Sequence, residues 1–376
     1  MELRKLSSWN FRNLHGEALE FGSRINLILG ANGQGKTNLL EAIATLGNLR
    51  SFRRAAARKM VRHGENAFRL EGLIEGFEGR FRIRQLLELG PPVRRQLEIN
   101  GAPVGLEEYL AAFPVFTLSS ADTELVVGSP ERRRALLDRL AFFGDQRHLV
   151  ALREYRRCLR QRNALLVHGC SEAEMDIWET HLATAAARVV VRRDRAMNQW
   201  AETFAACHSA LRGDDFQKVE AVYRMETEID TSDEAKVAEN YRQRYHGNRR
   251  RDRHAGFTIE GPHRHDLSLR AGGRSVRDVL SAGQVKVVAG ALCISTLMQV
   301  EERRKERLPV LIDDADAEID DRVFARLVAL LGDERQVFMS SAHEINIRRV
   351  VHGEAIHWVD AGMITENRPQ ARFEDE

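Results

Sequence analysis

The stretch Gly30-Ala31-Asn32-Gly33-Gln34-Gly35-Lys36-Thr37 constrains this chain more than any other. It fits G-x-x-x-x-G-K-[ST], a loop that cradles phosphates. Its flanks suit that reading. Ile25-Asn26-Leu27-Ile28-Leu29 is a short apolar run of the kind buried in a parallel sheet. Beyond the loop, Leu39, Leu40, Ile43 and Leu46 recur at helical spacing, and Gly47 reads as a stop. The predicted order is strand, glycine loop, helix. The glycines let successive N–H groups curl toward a phosphate chain. The helix N-terminus adds unpaired donors and the positive end of its dipole. Lys36 would bridge β- and γ-phosphates, and the Thr37 hydroxyl would hold Mg²⁺. Roughly one chain in a hundred of this length matches the pattern by chance, and the flanking elements lower that further.

A phosphate loop of this kind needs a carboxylate partner for the metal. Leu308-Pro309-Val310-Leu311-Ile312-Asp313-Asp314 supplies one, as a buried-type strand ending in two acids. Asp313 would join the magnesium shell, and Asp314 would orient or deprotonate the attacking water. Leu280-Ser281-Ala282-Gly283-Gln284 opens a long apolar helix. Its small residues let backbone N–H groups and the Ser281 hydroxyl meet a phosphate. With no second loop lysine nearby, Ser281, Gly283 and Gln284 make sense as completing the nucleotide site of another copy. A Ser-capped buried helix is the plain alternative. Ala317-Glu318-Ile319-Asp320 follows the acids, and Gln336-Val337-Phe338-Met339 leads into Ser340-Ser341-Ala342-His343. That strand end should lie beside the phosphate loop in a parallel sheet. His343 reads either as a sensor of the γ-phosphate or as a surface histidine.

The 376 residues allow one large domain or two ordinary ones. A net charge of +2 gives no global basic field, so any nucleic-acid binding must come from local patches. Cys158, Cys170, Cys207 and Cys293 lack metal-ligand spacing and read as thiols of a reducing cytosol. The N-terminus lacks a signal-like apolar run, and no stretch approaches ~18 consecutive apolar residues, so the expected location is cytoplasmic. Residues 1 to about 120 are strand-rich, with Asn100-Gly101 as a hairpin turn. Ser129-Pro130 opens a helical stretch. Two apolar stripes, around a break at His168-Gly169-Cys170-Ser171, predict an antiparallel helical hairpin, either projecting as an arm or packed flat. Val219–Met225 reads as a strand and Ser232–Tyr245 as a helix. The polar run from His246 to His254 reads as a mobile loop. The basic runs Arg53, Arg54, Arg58, Lys59 and Arg249, Arg250, Arg251 are either solvated faces or phosphate contacts.

Together these motifs resemble an ABC-type ATPase head. Further residues narrow the resemblance to the RecF family. They are Asn10-Phe11-Arg12-Asn13-Leu14, Gly33 through Ile43, Arg50-Ser51-Phe52-Arg53, Gly128-Ser129-Pro130 with Arg132-Arg133-Arg134 and Asp138, and Gly261-Pro262-His263-Arg264-His265-Asp266. The resemblance spans nearly the whole chain. It implies an α/β fold: a P-loop ABC-type ATPase head, with a mixed sheet plus antiparallel strands, built from residues 1–125 and 255–376. A helical lobe, 126–254, is inserted. It also implies ATP and Mg²⁺ as cofactors and ATP-driven head-to-head dimerisation on gapped or double-stranded DNA. Ser281 and Gly283 of one head would reach the nucleotide held by Lys36 of the other. Slow, DNA-stimulated hydrolysis would release the pair. RecR and RecO would be partners in helping RecA load. The basic runs then become candidate DNA contacts.

The chain departs from the family pattern in places. Ala282 stands where a longer polar residue is usual, Lys286 where arginine is common, Ala317 for the usual serine, and His265 for a smaller or acidic residue. Asp316 adds a third acid. No glutamine marks the expected loop near Thr117 to Asp122, where Asp122 is the polar candidate. The altered Ser281–Lys286 region keeps open a degenerate ATP-binding scaffold with little hydrolysis. An ATP-driven coupling subunit of another ABC-type system is a separate alternative, against which stand the missing glutamine loop and the inserted helical lobe.

Overall fold

The Ile25–Leu29 strand lies inside a six-stranded sheet, as its uninterrupted apolar run requires. Across the sheet the order is Met363–Thr365, Ala355–Asp360, Ile25–Leu29, Val337–Ser341, Val310–Ile312 and Phe116–Leu118. All neighbours run parallel except the terminal hairpin of Ala355–Asp360 with Met363–Thr365. The Val337–Ser341 strand therefore sits between the glycine-loop strand and the strand that ends in Asp313. This computed structural model describes residues 1–15, 18–214, 216–226, 229–314, 321–342 and 355–366. Asp316, the Ala317–Asp320 segment and His343 lie outside the described residues.

The helix after the loop, Lys36–Asn48, is buried nearly all round, with Leu39, Leu40 and Ile43 fully enclosed. It packs against a second, antiparallel sheet built around Glu2–Trp9, Ala67–Gly76, Gly79–Glu88 and Arg94–Ile99. Gly47 does not stop this helix, which ends at Leu49 in the left-handed region. A Cβ at Gly47 would instead overlap the carbonyl of Phe113. The Asn100-Gly101 turn is as expected: both residues have positive φ, and Ile99 pairs with Ala102 across it.

The chain divides into two units, Met1–Asp122 with Ala210–Arg212 and Arg304–Glu376, and Thr123–Ser209 with Gly213–Arg303. The second unit continues past residue 254, where the sequence places the return to the ATPase lobe. The reason is pairing. The Asp266–Ala271 strand lies antiparallel along Val219–Arg224, and the Ala282–Arg304 helix reaches Trp200, whose indole N–H donates to Ser295 Oγ at 3.0 Å. That helix is long and apolar enough to cross a membrane by composition alone. However, 72% of its most apolar window is buried inside the protein, which marks a core helix.

The predicted helical hairpin is present as Arg147–His168 and Glu172–Arg212. Leu152, Tyr155 and Cys158 of the first pack with Leu182, Ala185 and Val189 of the second. The run after His246 is not a loop. It ends the Glu234–Gly247 helix and forms another, Arg249–Ala255. Arg249 is buried there by bonds to Glu179, Glu172 and Asp176. Beside it Arg162, wholly buried, donates to Glu179 at 3.0 Å and Asp252 at 2.7 Å. Removing one member of such a network strands its partners without water. Arg162→Leu should cost about 3–5 kcal/mol in urea unfolding followed by circular dichroism. Breaking the exposed Arg242–Glu239 pair should leave the unfolding midpoint essentially unchanged.

Candidate functional site

Gly30, Gly33 and Gly35 all have positive φ, so the loop curls as its sequence predicts. A Cβ on Gly30 would overlap the carbonyl oxygen of Val359 on the neighbouring strand. Ala31, Asn32 and Gly33 form an exposed rim, whereas Gly35 and Lys36 are buried. The Lys36 ammonium donates to the carbonyls of Gly30 at 2.8 Å and Ala31 at 3.0 Å.

The loop is braced by residues distant in sequence. Asn13 donates to the Gln34 carbonyl at 3.4 Å and accepts from Asn38 at 2.7 Å. The Gly362 N–H donates to the same Gln34 carbonyl at 2.8 Å, and Ala361 N–H to the Gln34 side chain at 2.6 Å. Arg12 forms a two-pronged bond to Glu41, at 2.8 and 2.9 Å, and Ser51 donates to the same carboxylate. The Asn10–Leu14 and Arg50–Arg53 motifs thus hold the loop and its helix in place. These bracing roles carry no local sequence signal.

Asp313 lies at the end of its strand, where Thr37 Oγ1 donates to Oδ1 at 3.1 Å and Ser340 Oγ at 2.8 Å. Asp314 is exposed, takes a positive φ, and its N–H donates to Ser340 Oγ at 2.9 Å. Burial pushes the Asp313 pKa up, and the charge of Asp314 adds to this. The bonds from Ser340 and Thr37 and the positive charge of Arg53 act the other way. Ser340 was legible as a strand end but not as the residue that joins both acids. Arg53 also gains a placement: it is exposed, yet its charge reaches Asp313. The donor set fits a magnesium nucleotide. A hydroxyl and a carboxylate converge beside a loop of inward-curling N–H groups and a lysine.

Ser281, Ala282 and Gly283 are exposed in the other unit. Ser281 N–H donates to the Gln284 side chain at 2.9 Å, and Gln284 N–H to Ser281 Oγ at 3.4 Å, a reciprocal cap. Gln284 therefore serves its own helix start. Asp122 is engaged in a local turn, accepting from Ser119 N–H at 2.8 Å. Arg54, Arg58, Lys59, Arg250 and Arg251 are exposed, while Arg249, expected among them, is withdrawn into its ion pairs. Two other motifs meet each other inside the second unit. Arg133 makes a two-pronged bond to Asp266, Arg134 donates to the His265 carbonyl, and Asp138 pairs with Arg193 and His148.

The fold and the site define an ABC-type P-loop ATPase head. A family model described as the RecF/RecN/SMC N terminal domain matches residues 2–364, and the chain belongs to the RecF family. Among similar proteins, the DNA replication and repair protein RecF of Anaeromyxobacter sp. (strain K) is 34% identical over 325 residues, covering 85% of this chain and 86% of that one. The RecF of Myxococcus xanthus (strain DK1622) is 30% identical over 368 residues, covering 96% and 95%. A solved structure of the recombination mediator protein RecF with ATP, in the RecFOR pathway, superposes with a TM-score of 0.87 at 28% identity, covering 96% of each chain. The Smc head of Pyrococcus furiosus, at 15% identity and a TM-score of 0.53, shares the fold.

Asp313 also makes a stability prediction. Its folded pKa lies above the unfolded value, so its contribution favours folding at low pH and is lost as pH rises through the folded pKa. Without nucleotide or metal at pH 7.5, Asp313→Asn should therefore raise the melting temperature by roughly 1–3 °C. The gain should vanish near pH 4. A scanning fluorimetry series across pH would show it, and an equal gain at every pH would contradict the buried-carboxylate account.

Proposed function

We propose that this chain is an ATP-gated DNA-binding protein of replication and recombinational repair, whose nucleotide-bound copies pair head to head. The convergence of Thr37, Ser340 and Asp313 beside the glycine loop carries the reading. Lys36 would leave the loop carbonyls for the β- and γ-phosphates, whose oxygens attract its charge more strongly. Thr37 and Asp313 would hold Mg²⁺, whose charge offsets that of the phosphates. Asp314 would orient or deprotonate the attacking water. Arg53 is close enough in charge terms to sense the same phosphates.

Pairing of heads is supported by Gly283. A Cβ there would meet nothing within 4 Å in its own chain, and its φ is ordinary for any residue. The fold does not need glycine at this position, and its bare backbone is open to close approach from outside. A second head bringing its nucleotide would fit there, with the exposed Ser281 hydroxyl and N–H groups as donors. The paired heads would engage gapped or double-stranded DNA, with RecO and RecR as partners in RecA loading. Arg54, Arg58, Lys59, Arg250 and Arg251 remain candidate phosphate contacts.

Light scattering without nucleotide, with ADP and with ATP tests this. The wild type should dimerise with ATP alone. Lys36→Ala should neither bind ATP nor dimerise. Gly283→Val should bind ATP normally and stay monomeric, and its dimerisation at the wild-type level would sink the head-to-head reading. ATP turnover should rise when duplex DNA is added. No change with DNA would favour a scaffold or another coupled system.

A further inference from the structure

The Arg147–His168 helix carries an unusual surface. Arg153, Arg156, Arg157 and Arg160 are exposed and fall at the spacings of one helix face, opposite the buried Leu152, Tyr155 and Cys158. Glu154 is the only acid in the whole helix, and it is taken by Arg188 of the following helix at 3.2 Å. Each arginine in the stripe therefore has another arginine three or four residues away. Like charges at those spacings oppose the helix that carries them. Elsewhere this unit answers buried arginines with carboxylates, as at Arg162, Arg193 and Arg249. The helix itself contributes no acid other than Glu154.

We infer that the Arg153–Arg160 face is a docking surface for the phosphate backbone of duplex DNA. The inference rests on the DNA-binding part of the proposed function and names a surface that the basic runs in the loops did not include. Charge complementarity selects the partner. The stripe is about 10 Å long at 1.5 Å per residue. A duplex presents one charge per about 1.7 Å of axis, so several phosphates lie within its reach. Guanidinium groups grip phosphate oxygens in pairs, and a rigid helix holds them at fixed intervals. The self-repulsion along the stripe is relieved when the polyanion binds. Such contacts position DNA without reading its sequence.

The test uses the full chain with ATP and a labelled duplex, followed by fluorescence anisotropy from 50 to 200 mM salt. The triple variant Arg156→Gln, Arg157→Gln, Arg160→Gln should lower the slope of log affinity against log salt by roughly 2–3, because each lost phosphate contact removes about 0.9. Its melting temperature and ATP affinity should match the wild type. The corresponding triple lysine variant should recover most of the slope, which a merely folded-state defect would not allow. An unchanged slope in the glutamine variant overturns the inference alone. So does a variant that keeps DNA affinity but loses flotation with vesicles rich in anionic lipid, since the face would then serve a lipid surface. If the wild type itself fails to bind duplex, the DNA-binding reading falls and this surface with it.

Discussion

Asp313 is a carboxylate kept where burial opposes its charge, and much of the first unit is arranged to tolerate it. Its strand and the loop strand cannot be neighbours, because Val337–Ser341 is hydrogen-bonded between them. Strands two places apart lie about 10 Å from each other. Thr37, one residue into the helix, and Asp313, one residue beyond its strand, span that gap from either side. Ser340, on the middle strand, accepts from one acid's backbone and donates to the other's side chain. The arrangement suits a cation. The same burial that raises the cost of the lone charge would strengthen its hold on a metal.

The loop strand, the helix after it and the acid-tipped strand were all legible, since each is a local pattern of apolar spacing, glycine and charge. The bracing was not. Arg12 and Glu41 are 29 residues apart, and Gln34 and Ala361 are 327 apart. No periodicity links such pairs. Asn10 and Arg12 both take positive φ, which a non-glycine residue adopts only when its surroundings demand it. Here the demand is the contact of the Asn10–Leu14 segment with the loop and with Met60 and Arg62. The sequence marked that segment as a motif without saying that it works by gripping the loop.

The placement of Arg249 shows a different limit. A run of arginines with few acids nearby in sequence reads as exposed. Its partners, Glu172, Asp176 and Glu179, stand some seventy residues earlier. Their spacing of four and three is a helical stripe, and that was the signal available for an acidic face in need of a cation. The same logic explains why the second unit extends to Arg303. The Gly128–Asp138 and Gly261–Asp266 motifs are each other's complement, through Arg133 with Asp266 and Arg134 with the His265 carbonyl. Residues that pair this tightly must fold together, whichever side of a compositional boundary they occupy.

The chain carries 57 basic and 55 acidic side chains, so near-neutrality is a property of the whole and not of its surfaces. The Arg147–His168 helix shows how local the balance is. Arg162 is wholly buried, with a carboxylate on either side. Arg156 and Arg160, on the opposite face, stand among other arginines. Both solutions cost the fold something: desolvation in the first, repulsion in the second. The first is offset within the molecule. The second is eased by counter-ions, and a polyanion that displaces them turns the cost of carrying the stripe into a source of binding free energy.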